Sequence, residues 1–101
     1  MIYRIEVKDN SKEKVFVFCP SVLSVKEWIY TQLLNAMHED LKYHTTLATT
    51  ADITECYSRA FGHLQQADED ELTSTSFSTY HDVKYVVKYQ PDENLKLVNL
   101  V

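Results

Sequence analysis

Ser24-Val25-Lys26-Glu27-Trp28-Ile29-Tyr30-Thr31-Gln32-Leu33-Leu34-Asn35-Ala36-Met37 decides how the centre of this chain folds. Val25, Trp28, Ile29, Leu33, Ala36 and Met37, with Leu41 beyond them, recur at steps of three and four. That spacing aligns side chains on one face of an α-helix. Ser24 and Glu27 have the form of a capping box, in which a serine accepts from an early amide and an acid three residues on reaches back. A helix over about 22–43 is predicted.

A second stripe follows: Ile53, Cys56, Tyr57, Ala60, Phe61 and Leu64. Thr49 or Thr50 can cap this helix. Asp52 and Glu55 then fall in its first turn, where carboxylates complement the helix dipole. Leu64 keeps the period past Gly62, so the helix is expected to run to about Gln66.

Strands flank the helices. Tyr3, Ile5 and Val7 alternate with Arg4 and Glu6, and 15–19 is rich in Val and Phe, which together predict a hairpin of strands at about 2–8 and 14–19. Residues 73–79 read as a loop or a weak edge strand. Val83, Tyr85, Val87 and Tyr89 alternate with Lys84, Val86 and Lys88, and 95–101 reads as the partner strand after a turn at Pro91. Two amphipathic helices need cover, and so does one face of such a sheet. The economical solution is one α+β domain over 1–101: a two-layer sandwich, an antiparallel sheet of about four strands with both helices on one face, in the order ββααββ.

Composition narrows the function classes. One glycine in 101 residues excludes glycine-rich phosphate loops. The apolar runs are too short for a membrane span, and the alternating N-terminus does not resemble a signal peptide. Cys19 and Cys56 lie in different elements and read as buried free thiols of a cytoplasmic protein.

The charge is concentrated. Residues 27–71 carry nine acids and two bases, a local balance of −7 within a chain of net charge −5. Glu39, Asp40, Asp52, Glu55 and the run Asp68, Glu69, Asp70, Glu71 are expected to make the helical layer acidic. Such a surface can dock on a basic groove or imitate nucleic-acid phosphates; its plainer reading is solubility. Tyr30, Leu34 and His38 run along the outer flank of the first helix, and seven tyrosines point the same way, since tyrosine favours interfaces.

Chemical motifs are weak. His38 and His44 are six apart and project from different helix faces, so no metal or cofactor site is expected, although Asp40 and His44 are four apart. His63 and His81 flank the acidic run, within possible reach of Asp68 or Asp82. Lys84 and Lys88 alternate with Tyr85 and Tyr89, which sets cations and rings on opposite faces and argues against direct nucleic-acid binding. The reading is a non-enzymatic acidic interaction protein, a small inhibitor or regulator of the kind phages and mobile elements encode against defence complexes. Its expected partner is a larger basic protein that handles nucleic acid. Two alternatives stand beside it: a small enzyme or toxin using His63 or His81 with a nearby carboxylate, and a structural homodimer joined through sheet edges.

Overall fold

The computed structural model describes residues 2–10, 15–44 and 46–90. The elements are β1 (Ile2–Lys8), β2 (Val15–Cys19), α1 (Val22–Tyr43), α2 (Leu47–Gln66), α3 (Glu69–Ser74), β3 (Ser76–Ser78) and β4 (Lys84–Gln90). This is an α+β fold in the order ββααββ, with a short third helix added. The sheet is antiparallel, in the order β2-β1-β4-β3.

Local chemistry sets the helix starts. The box at α1 is built by two serines: Ser21 Oγ accepts from the Ser24 amide at 3.1 Å, and Ser24 Oγ accepts from the Ser21 amide at 3.1 Å. Ser24 thus takes the reaching-back role expected of Glu27, and the cap sits three residues earlier. Thr46 caps α2 by accepting from the Thr49 amide at 3.3 Å. Asp52 and Glu55 therefore lie beyond the first turn, and the dipole role expected of them is lost. The acidic run forms α3 instead of ending the helical region. Asp68 accepts from the Glu71 amide at 2.9 Å, and the first turn holds Glu69, Asp70 and Glu71, the favoured place for negative charge.

The core lies between the helices and one face of the sheet. Tyr3, Ile5, Cys19, Phe77, Tyr85 and Val87 from the strands meet Val25, Ile29, Leu33, Ile53, Tyr57, Leu64 and Leu72 from the helices. Each fully enclosed aliphatic side chain contributes about 1.5–3 kcal/mol of burial. Trp28, Met37 and Phe61 are half-buried, less than their stripe positions predict. Trp28 stands edge-on to Tyr85, with ring centroids 5.7 Å apart.

The last hairpin differs from expectation. The hairpin partner of β4 within the described residues is Ser76–Ser78, inside the stretch read as loop or weak edge strand; residues 95–101 lie outside the described residues. The β3–β4 turn closes with the Thr79 amide donating to the Val83 carbonyl at 2.9 Å and the Asp82 amide donating to the Thr79 carbonyl at 3.1 Å. Its third residue, Asp82, takes φ 65°, the left-handed geometry such loops require and aspartate tolerates.

Candidate functional site

Strand register and helix facing divide the charges between two surfaces. Glu27 and Glu39 on α1, Asp52 and Glu55 on α2, and Asp68, Glu69, Asp70 and Glu71 around α3 are all exposed. Among the described residues, few contacts engage them. Arg59 pairs with Glu55 one turn away, Tyr89 donates its hydroxyl to Glu69, and His63 Nε2 lies 3.6 Å from Glu71. The Tyr89 hydroxyl is held protonated up to about 12, first by that hydrogen bond and then by partial desolvation.

Asp40 departs from the group. It is buried, accepts a hydrogen bond from the Tyr57 hydroxyl, and lies 3.2 Å from His81 Nε2. Its role among the expected docking acids is therefore corrected: this carboxylate ties α1 to α2 and to the β3–β4 turn, and only its edge reaches solvent.

The outer flank of α1 meets α2 in a groove. Tyr30 is 48% exposed and its ring lies 5.0 Å from that of Phe61. Leu34 below it is half-buried and His38 exposed. Lys26, Glu27, Tyr30, Thr31, Phe61, Leu64 and Gln65 line an open cleft of about 650 Å³. Lys26 donates to the Gln65 carbonyl at 3.1 Å across one end, which fixes the helix separation there. Sequence reasoning placed Phe61 on the core stripe and did not see this floor. The signal was present in the pairing of two aromatic flanks, but only a known helix register joins Tyr30 to Phe61.

Both histidines of the enzyme alternative find carboxylates, though not the ones expected. His81 meets Asp40 rather than Asp82, and His63 meets Glu71 rather than Asp68. The ring of His44, which caps the end of α1, lies tilted 5.8 Å from that of His81 and edge-on 6.2 Å from that of Tyr80. Cys56 is half-buried, and its thiol is pushed up first by burial and then by the charge of Asp40, which opposes a nucleophilic thiolate. Cys19 is buried, and its thiol is likewise raised by burial. The α1–α2 cleft is lined by neither histidine pair. Among the described residues, no group of three His, Cys, Asp or Glu side chains is arranged to hold a metal ion, and no helix is long and apolar enough to cross a membrane.

No family model, curated protein or solved structure matches this chain. The functional reading therefore rests on the surfaces themselves.

Proposed function

We propose that this protein is a non-catalytic interaction module that docks its acidic helical layer onto a larger, basic protein. The observation that carries the reading is the segregation of charge: eight of the nine acids in residues 27–71 are exposed on or beside the helices, while Arg4, Lys8, Lys84 and Lys88 stand on the far face of the sheet. An acidic face of this kind steers encounter with a basic surface and suppresses wrong partners. The Tyr30–Phe61 cleft within the same layer supplies an apolar anchor of the type that holds binding energy at interfaces. A basic groove of a nucleic-acid-handling complex is the natural target, and an inhibitor or regulator of such a complex, of phage or mobile-element type, is the role that fits.

The test is capture of the partner from native host cells, followed by association kinetics with the purified partner. The combined Asp68→Asn, Glu69→Gln, Asp70→Asn, Glu71→Gln variant keeps shape and retains a capping side chain at 68. Its association rate should fall severalfold, and the rate for the unaltered protein should fall with salt. A variant and a parent that associate equally fast at every salt concentration would leave the acidic layer as a solubility feature only.

A further inference from the structure

The solvent-side face of the sheet presents like charges directly opposite one another. Lys8 pairs in register with Lys84, and Arg4 pairs with Lys88, on the adjacent strands β1 and β4. Like charges so placed destabilise a sheet. Glu6 relieves one pair, lying 3.0 Å from Arg4 and 3.6 Å from Lys88. Among the described residues, no salt bridge joins Lys8 or Lys84 to a carboxylate.

The same face carries aromatic rings. Phe16 and Phe18 of β2 stand opposite Glu6 and Arg4, which places them on the face of the cations. Phe16 is 41% exposed, and the Arg4 guanidinium lies 5.2 Å from its ring centroid. The interleaving of Lys84 and Lys88 with Tyr85 and Tyr89 misdirects a reading of β4 alone. Register supplies the missing rings from the strand two places away.

We infer that this sheet face binds single-stranded nucleic acid, with Lys8 and Lys84 holding phosphate at one end, Arg4 and Lys88 at the other, and Phe16 and Phe18 offering stacking surfaces for bases. The two cation pairs are four residues apart along the strands, roughly 13 Å, so an extended strand reaches both. Cations tracking a backbone beside aromatic platforms are the general means of holding an unpaired strand. A duplex hides its base faces and gains only the phosphate contacts. The acidic helical layer lies on the opposite side of the sheet and disfavours a strand on that side. This inference is independent of the protein partner proposed above.

The experiment is fluorescence anisotropy with labelled oligothymidylate and oligouridylate, against a duplex of equal length and a polyglutamate peptide. Both single strands should bind at low salt, and the duplex and the peptide at least tenfold more weakly. Phe16→Ala with Phe18→Ala should weaken single-strand binding about tenfold or more. Lys8→Ala with Lys84→Ala should weaken it and reduce the salt slope by roughly 1.4, two phosphate contacts at about 0.7 each. Lys84→Glu sets a carboxylate opposite Lys8; it should abolish binding while thermal stability holds or rises, which separates lost binding from lost folding. Absence of single-strand binding at low salt, equal affinity for the duplex, or unchanged binding in the lysine variants would overturn the inference. Equal affinity for polyglutamate would reassign the face to an acidic peptide.

Discussion

The hydroxyl of Tyr57 on α2 donates to the buried carboxylate of Asp40 on α1, seventeen residues away in sequence. The same hydroxyl accepts from the Tyr80 amide at 3.1 Å, so one side chain closes a three-way junction of both long helices and the β3–β4 turn. His81 meets the second Asp40 oxygen from the solvent side. A polar junction at the end of a core is costly when half satisfied and specifying when complete.

Tyr57→Phe removes the hydroxyl and leaves two groups behind, the Asp40 carboxylate and the Tyr80 amide. A hydrogen bond to a charged group contributes about 1.5–3 kcal/mol, so urea unfolding should show a loss of that size. Asp40→Asn retains shape and an acceptor and should cost less. A larger loss in Asp40→Asn than in Tyr57→Phe would place the importance of the junction in the His81 contact instead.

Alkaline stability should report the same hydroxyl. Burial, followed by the bond to Asp40, raises the Tyr57 pKa above its ordinary 10.0. The folded state therefore keeps a proton that the unfolded chain loses near pH 10. The sign follows: this contribution is fully present below pH 10 and is lost as pH climbs toward the folded value. Tyr3, Tyr85 and Tyr89 are raised as well, so the decline is shared. Cys19 and Cys56 are raised too, so denaturant midpoints measured from neutral pH upward should hold to about pH 8.5, where unfolded thiols begin to ionise, and fall more steeply beyond about pH 10. Tyr57→Phe should make that fall shallower.

Trp28→Ala should cost about 2–3 kcal/mol by chemical denaturation, below the roughly 3–5 kcal/mol of a fully enclosed aromatic. The indole is half-buried and loses its edge contact with Tyr85 along with apolar area. A change within experimental error would show that neither the area nor the ring contact contributes.

Gly62 lies inside α2, and a Cβ added there meets nothing within 4 Å. Its flexibility is therefore unused by any close packing. Gly62→Ala should stabilise the protein by roughly 0.5–1 kcal/mol, the helix preference of alanine over glycine, seen as a higher melting temperature. Destabilisation would mean that the helix bends or packs at this point in solution.

The sequence by itself determined the two long helices and the fold class. The step of three and four from Val25 to Leu41 places α1 because helix periodicity is a local property of the chain. The alternation in β1 and β4 likewise settled which side chains share a face, since that depends only on odd or even position. Strand order was not local. Nothing within Lys84–Gln90 states that it lies between Ile2–Lys8 and Ser76–Ser78, because the backbone hydrogen bonds that pair strands are the same for every sequence. That order, with its register, set Lys8 against Lys84 and placed the lysines of β4 on the same face as Phe16, which the β1–β2 hairpin had already brought beside Arg4. Asp40 likewise reads as one more solvated acid on a helix until α2 is docked. Only then does Tyr57 reach it, the carboxylate leave water, and a residue expected at a docking surface become part of the frame that holds the helices together.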